Sequence, residues 1–492
     1  MSGRASPSTL ARAGLLIGPV TYLAMVSWVI VARAAYPFQL EWMEGGSLQH
    51  MLRLKAGLPI YGPPGLEFTA FQYPPLYYYV AALVAKLPGM AGFLPLRVTS
   101  VVAALGCIAS IVLIIRKQTS SLYWGIVGAG LFVATFRQGG AWFDIARVDM
   151  LFVFLLLAAQ VALLHGRTGR IWAGVLFGLA FYTKQTAFLV VVPLVAVMIW
   201  RCGFLAGLQL ALPFAAIAAG STAFEQWRSG GWYAYYVFGL PKQHALVKPL
   251  LEQLAVRSAK LLETVPVAAI LGAAYAVLGR REAWKRGAEV TAVFVLALAA
   301  LSFGAKLTYG SYDNVSIPFF AALSIALGLA GRWLEGRLTS ESRRTTMLMA
   351  CVAQFMILGF DIKKQIPTEA DRKAGEALVQ RLKRIDGDVL IPAHGYLAHQ
   401  AGKAMFAHEI ALLEVQGEFS EGGFIRNPEF EASLRNEIAV RRFSAVILDG
   451  EPQMWQPVFD TYESEPLAYP DDRTFLPITG MRTRPNVWWT PP

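Results

Sequence analysis

Long uncharged, apolar stretches recur along the first three quarters of the chain and constrain its fold more than any other feature. A membrane-spanning helix needs roughly 17–25 residues, so several of the stretches suffice alone and the others need a flanking residue or two. Only 16% of the 492 residues are charged and 55% are hydrophobic, whereas about a quarter of a soluble domain is charged. We therefore predict an α-helical polytopic membrane protein with about 11 transmembrane helices, at 13–32, 98–115, 118–136, 150–164, 171–183, 185–200, 202–224, 264–279, 290–305, 314–331 and 345–360.

Three of these stretches allow more than one interpretation. Residues 171–183 and 185–200 meet at Lys184, which fits either two spans joined by a tight turn or one broken helix. The first stretch could be a signal peptide, but its apolar part is longer than the roughly 7–15 residues of a signal sequence. We interpret it as a true first span.

The distribution of charge predicts the topology. Residues 1–360 carry 29 Lys and Arg against 13 Asp and Glu, while residues 361–492 carry 15 against 20. Basic residues mark the cytoplasmic ends of spans, which predicts an integral plasma (inner) membrane protein with a cytoplasmic N-terminus and an external, periplasmic C-terminus. The basic face belongs to membrane loops, and nucleic acid is not an expected partner. Its cations are Arg4, Arg12, Arg116, Lys117, Arg167, Arg170, Arg201, Arg280, Arg281, Lys285, Arg286, Arg332, Arg337, Arg343 and Arg344.

The C-terminal quarter has a different pattern. Residues 373–385 and 429–441 have helical periodicity, and the short apolar runs 388–392 and 444–448 are typical of strands. We predict a transmembrane domain over 1–361, with a first external loop at 34–96, followed by a small external α/β domain over 362–492.

The predicted topology places the unusual polar segments on the external side. In the first of them, Glu41 and Glu44 are three residues apart, which on a helix puts both carboxylates on one face. Two close carboxylates beside apolar material can keep one pKa high enough for a general base. The alternative is an acidic first turn that favours the helix dipole.

Three more polar clusters follow on the same predicted side. Asp144, Arg147 and Asp149 lie at the mouth of the fourth span, where a structural ion pair is as plausible as a functional one. Lys184 interrupts about 30 uncharged residues, and we expect an anionic partner for it rather than simple snorkelling. Lys306, Tyr312 and Asp313 lead into the tenth span in a segment that also suits a turn.

Aromatic and basic residues are mixed in the segment 225–260. Trp232 and three tyrosines precede Lys242 and His244. The aromatics fit a membrane-interface belt or a sugar-stacking surface, and the cations fit a lipid phosphate.

The order of these motifs resembles that of a known family, the GT-C-fold polytopic glycosyltransferases that use polyprenyl-phosphate sugars, near the protein mannosyltransferases and aminoarabinose transferases. The motifs cover most of residues 10–330. They are Trp42-Met43-Glu44-Gly45, Ala56–Tyr61, Tyr73-Pro74-Pro75-Leu76-Tyr77, Arg97, Arg147-Val148-Asp149, Thr183-Lys184-Gln185-Thr186 and Tyr312-Asp313-Asn314.

The resemblance implies inverting transfer of a sugar from a polyprenyl phosphate to a lipid, glycan or protein hydroxyl at the external face, with no metal or other cofactor. A carboxylate of the first loop would be the general base. Glu44 is the first choice and Glu41 the substitute, because Met43 stands where the family often has an Asp. Asp149 would position the acceptor.

The remaining site residues follow from the same resemblance. Lys184 and Arg97 would bind the donor phosphate, whose developing charge needs cations. The expected site is completed by the cations Arg147, Lys242 and Lys306 and by the substrate contacts Tyr73, Asp144, His244, Tyr312 and Asp313.

Two other functions remain open at this point. A transporter or flippase of a lipid-linked sugar would be expected to show internal repeats and midplane binding groups, and the sequence shows neither. A non-catalytic envelope-assembly subunit could share the same scaffold.

Overall fold

The computed structural model describes residues 6–281, 288–420, 427–450 and 453–492, and most of them are helical. Arg4, Lys285 and Arg286 of the predicted basic face lie outside the described residues. The apolar part is built from helices α1 (Pro7–Leu15), α2 (Ile17–Ala34), α3 (Glu44–Lys55), α4 (Leu76–Val84), α5 (Leu94–Thr119), α6 (Leu122–Ala134), α7 (Asp149–Leu163), α8 (Gly166–Phe181), α9 (Phe188–Cys202), α10 (Phe204–Arg228), α11 (Leu250–Thr264), α12 (Pro266–Leu278), α13 (Glu289–Lys306), α14 (Ile317–Glu335) and α15 (Glu341–Ile357).

Each of the predicted apolar stretches overlaps one of these helices, and the chain is an integral membrane protein. Within the described residues, six helical segments are long and apolar enough to cross a membrane, or seven if α11 and α12, bent by 105°, form one span. Helices α6 and α7 are apolar but shorter. The predicted number of 11 spans stays a prediction.

The turn at Lys184 separates two helices. Helix α8 ends at Phe181, and the amides of Thr183 and Lys184 both bond to the carbonyl of Ala180. Lys184 itself is extended, and the chain re-enters a helix at Gln185. Residues 166–181 and 188–202 are thus separate helices with a turn between them, and their assignment as two spans stays a prediction.

Small residues let the central helices approach closely. Helix α14 belongs to the most buried of the six candidate spans and packs against α5, α6, α12 and α13. A side chain at Gly331 would lie 2.1 Å from the Trp124 ring, and one at Gly128 would lie 2.7 Å from the carbonyl oxygen of Ser324. Glycine at such positions is a common basis of packing between membrane helices.

The C-terminal quarter folds around a four-stranded sheet. Its strands β1 (Asp388–Leu390), β2 (Phe443–Leu448), β3 (Glu463–Pro466) and β4 (Val487–Thr490) are ordered β1-β2-β4-β3, with only β1 and β2 parallel. The two predicted strands and two predicted helices are present, whereas β3 and β4 were not predicted. The helices are α16 (Glu369–Lys383), α17 (Gly395–Gln400), α18 (Glu409–Gln416), α19 (Pro428–Ala439) and α20 (Gln456–Thr461).

Candidate active site

The polar segments that the sequence places on one side of the membrane meet in the structure. Ion pairs, most of them buried, form among the first loop, the segment before α7, the turn at Lys184 and the segment before α14. Some of these pairs are closed to solvent and fully hydrogen-bonded, while others keep part of a charged group accessible. The pairs therefore differ in how many hydrogen-bonding positions the protein leaves unfilled and in how much of each charged group is accessible.

Glu44 is the first residue of α3 and is completely saturated by the protein. Arg97 approaches it with Nη2 at 2.8 Å from Oε2 and Nε at 3.3 Å from Oε1. The amides of Leu40 and Ala146 donate to the same two oxygens at 2.6 and 2.7 Å. The other Arg97 donors bond to the carbonyls of Tyr36 and Phe38. Both side chains are buried, so this pair leaves no open oxygen or N–H for a substrate.

Asp144 lies in a second closed pair. The guanidinium of Arg33, at the end of α2, binds both of its oxygens, with Nε at 2.6 Å from Oδ2. Arg33 also donates to the carbonyl of Ala141 at 2.7 Å, and both charged side chains are buried. In the structure Asp144 thus takes part in an ion pair that ties α2 to the segment before α7, and its predicted substrate contact stays a prediction.

Glu41 is as fully buried as Glu44, but it accepts fewer and longer hydrogen bonds. Arg147 contacts it through Nη1 alone, at 3.2–3.3 Å, and the amide of Met43 donates at 3.1 Å. Burial raises the pKa of Glu41 to about 7, although Arg147 opposes the shift and Glu44 adds to it. Glu41 precedes α3, so the two carboxylates do not share a helix face as predicted.

Asp149 and Lys184 form a further pair beside Arg147. Lys184 Nζ lies 3.0 Å from Asp149 Oδ1, and Trp142 Nε1 donates to Oδ2 at 3.1 Å. The Lys184 side chain is 18% exposed, against 5% for both Arg147 and Asp149, so Lys184 is the accessible cation of this group. The anionic partner expected for Lys184 is Asp149.

Tyr73 joins the two pairs. Its hydroxyl lies 3.4 Å from Arg147 Nη2, and its ring centroid is 5.8 Å from the Arg147 guanidinium carbon and 5.7 Å from Lys184 Nζ. These are cation–π distances. Glu41, Arg147, Tyr73, Lys184 and Asp149 therefore form one continuous cluster, which we call the central cluster.

The segment before α14 borders the central cluster. Lys306 Nζ lies 3.4 Å from Asp313 Oδ1, and neither side chain is fully buried. The ring of Tyr312 packs against that of Trp142 at 5.9 Å. The predicted residues of this segment thus lie near Asp149 through Trp142.

Sequence reasoning missed two carboxylates near this region. Glu414 of α18 lies 2.7 Å from His244 Nε2 and accepts from Gln72 Nε2 at 3.0 Å, while Lys242 next to them is exposed. Glu225, buried near the end of α10, accepts from the hydroxyls of Tyr79 and Tyr182 at 2.9 and 2.6 Å. An isolated Glu in the apolar stretch of α10 was a usable signal for Glu225, but Glu414 gave none.

Within the described parts of the chain, no group of three or more His, Cys, Asp or Glu side chains is placed to hold an ion.

Residues 72–224, about a third of the chain, match the model of the family described as dolichyl-phosphate-mannose-protein mannosyltransferase. The match includes Tyr73, Arg97, Arg147, Asp149 and Lys184, whereas Glu41 and Glu44 precede it. No curated protein sequence matches the chain.

Solved structures match over almost the whole chain. ArnT from Cupriavidus metallidurans bound to undecaprenyl phosphate has a TM-score of 0.60 at 11% identity, covering 96% of this chain and 97% of ArnT. The apo form gives 0.58 at 12% identity over the same shares. The Archaeoglobus fulgidus oligosaccharyltransferase tethered to an acceptor peptide gives 0.52 at 11% identity, covering 87% of this chain and 69% of that one. The chain has the GT-C fold, and its resemblance to the GT-C glycosyltransferases that use polyprenyl-phosphate donors is confirmed.

Proposed function

We propose that the protein is an inverting glycosyltransferase that moves a sugar from a polyprenyl phosphate to an acceptor hydroxyl on the external face of the membrane. The observation that carries this proposal is the central cluster, which contains both a carboxylate with a pKa near neutrality and a partly accessible lysine, linked through Arg147 and Tyr73. A base and a phosphate-binding cation are the two groups that this reaction needs. The family match and the undecaprenyl phosphate bound by ArnT support the choice of donor.

We assign the general base to Glu41 rather than Glu44. Glu44 has both oxygens filled by four protein donors, so it cannot accept a proton without breaking the pair with Arg97. Glu41 accepts long bonds from a single arginine nitrogen and one amide. Its raised pKa of about 7 suits a base that works near neutral pH.

In the proposed reaction Glu41 takes the proton of the acceptor hydroxyl. The oxygen attacks the anomeric carbon from the side opposite the phosphate, forming the new glycosidic bond. The bond from the anomeric carbon to the phosphate oxygen breaks, and its electron pair leaves with the polyprenyl phosphate. One proton moves to Glu41 and no oxidant or reductant is needed.

Lys184 is the proposed cation for the departing phosphate. Asp149 fixes its position at 3.0 Å while part of the side chain stays accessible. Lys306 and the exposed Lys242 lie on neighbouring segments and would add positive potential.

Arg97 is left out of this role because its donors are occupied by Glu44 and backbone carbonyls. The same reasoning removes Asp144 from substrate binding.

The test is complementation of a deletion strain with the wild-type gene, with Glu41→Gln and with Glu44→Gln, followed by compositional analysis of the envelope glycans. We expect a sugar to disappear in the deletion strain and to return with wild type but not with Glu41→Gln. Purified Glu41→Gln should still bind undecaprenyl phosphate. Full restoration by Glu41→Gln would contradict the enzyme assignment and favour a transporter or an assembly subunit.

A further inference from the structure

The C-terminal domain contacts the loop that carries Glu41 through Thr479 and Gly480, which precede β4. The amide of Thr479 donates to the carbonyl of Leu40 at 3.1 Å, and Thr479 forms a parallel bridge with Glu41. The Thr479 hydroxyl donates to the carbonyl of Gly140 at 2.5 Å. One residue of this domain thus connects the first loop to the segment before α7, which supplies Arg147.

Gly480 packs directly against Trp42 and Glu41. Its φ of +84° lies in the region that favours glycine. A side-chain carbon at this position would lie 2.2 Å from Trp42 Cδ1 and 3.3 Å from Glu41 Cγ. Any larger residue would have to displace Trp42, and with it the backbone that carries Glu41.

His408 supports the same loop from a second point of the domain. Its Nδ1 accepts from the amide of Ile410 at 3.2 Å, which leaves the proton on Nε2 to donate to the carbonyl of Trp42 at 3.2 Å. Burial lowers the pKa of His408 to about 3, so the ring stays neutral and this contact is constant over the physiological pH range.

We propose that the C-terminal domain is part of the active site, with Thr479 and Gly480 as positioning residues that hold Glu41 against Arg147. This inference rests on the proposed function, because it takes Glu41 as the base. The domain excludes water from one side of the carboxylate and fixes the loop that carries it. If the domain only covered the site, a substitution on its inner surface would leave the conformation of the Glu41 loop unchanged. If the domain positions the loop, the same substitution would change that conformation.

The decisive variant is Gly480→Ala, and the chain offers a matched control. Gly402 lies in the same domain with a φ of +79°, but a side chain there would meet nothing within 4 Å. Gly402→Ala therefore reproduces the backbone strain without the contact to Trp42 and Glu41. We expect Gly480→Ala to lower the rate of sugar transfer by about 10²-fold, as a misplacement of about 1 Å can do, while Gly402→Ala stays near wild type. Undecaprenyl phosphate should bind both variants as it binds wild type.

A second readout does not depend on activity. Infrared difference spectroscopy can follow the carboxyl band of Glu41 during a pH titration, with Glu41→Gln identifying the band. Gly480→Ala should shift this titration to lower pH, because displaced packing admits water to the carboxylate. If Gly480→Ala does not fold, the pair Thr479→Val and Thr479→Ser is compared in its place. Only the serine variant keeps the hydroxyl that donates to the carbonyl of Gly140.

The outcomes separate this inference from the proposed function. If Glu41→Gln is inactive but Gly480→Ala matches Gly402→Ala in both readouts, the positioning role is wrong and the enzyme assignment stands. The same conclusion follows if Thr479→Val and Thr479→Ser behave alike. If Glu41→Gln is fully active, the proposed function itself fails.

Discussion

Arg97 and Glu44 form a closed ion pair, with Nη2 of the arginine 2.8 Å from Oε2 of the glutamate and both side chains buried. Glu41, three residues earlier, contacts Arg147 through one nitrogen at 3.2 Å. The first pair joins the start of α3 to the first turn of α5, and the second faces Tyr73 and Lys184. We infer a structural role for one glutamate and a chemical role for the other.

Glu44→Gln should damage stability more than chemistry. Removing one partner of a buried ion pair leaves the other charge uncompensated and costs about 3–5 kcal/mol of unfolding free energy. We expect a clear fall in the thermal unfolding midpoint of the purified protein, with turnover per folded molecule largely kept. Glu41→Gln should lose roughly 10²–10⁴-fold in turnover, with a smaller loss of stability because Asp149 still attracts Arg147. Equal turnover loss in the two variants, at equal stability, would return the base assignment to Glu44.

The rate of transfer should rise with pH and level off above neutrality. The carboxylate of Glu41 is the active form, and burial raises its pKa to about 7. Below that pH the protonated fraction grows, so the rate should fall about tenfold for each pH unit. The measurement is the pH profile of transfer under saturating donor. A half-maximal rate near pH 4–5, the ordinary range of a glutamate, would contradict this assignment.

Replacement of Arg147 should move that profile to higher pH. Arg147 lowers the pKa of Glu41 and so opposes the effect of burial. Arg147→Gln removes this attraction, and the protonated form of Glu41 then persists to higher pH. At pH 7 the variant should be slower than wild type and should recover partly under alkaline conditions. Arg137→Gln, an exposed position in the same loop, is the control and should leave the profile unchanged.

The sequence predicts the parts of this molecule whose environment is uniform. An apolar stretch such as 314–331 becomes a helix because every face of it meets lipid or apolar side chains, and the strand β2 follows from a continuous apolar run. Strand β3 was missed because its residues are polar and exposed and its pairing with β4 is distant in sequence.

In the candidate site, too, the sequence does not predict contacts between residues that are distant along the chain. The spacing of Glu41 and Glu44 predicts a shared helix face, but the helix begins at Glu44, so each carboxylate takes a different arginine. Those arginines lie 53 and 106 positions further along the chain. Which cation meets which carboxylate depends on the packing of α5 and α7, and no local pattern contains that information.

Lys184→Ala should weaken the binding of the lipid phosphate, and a double-mutant cycle can isolate this effect from a structural one. The substitution also leaves Asp149 buried without its lysine, so the single variant combines two losses. The double variant Lys184→Ala/Asp149→Asn no longer contains the uncompensated charge. Any remaining loss of affinity for the lipid phosphate is then due to the missing contact between Lys184 and the ligand. We expect undecaprenyl phosphate to bind the double variant about 10–100-fold more weakly than it binds Asp149→Asn alone, as the loss of a hydrogen bond to a charged group would give. The affinities are measured by titration of the purified proteins in detergent. Equal affinities of the double variant and Asp149→Asn would mean that Lys184 pairs with Asp149 and does not bind the phosphate.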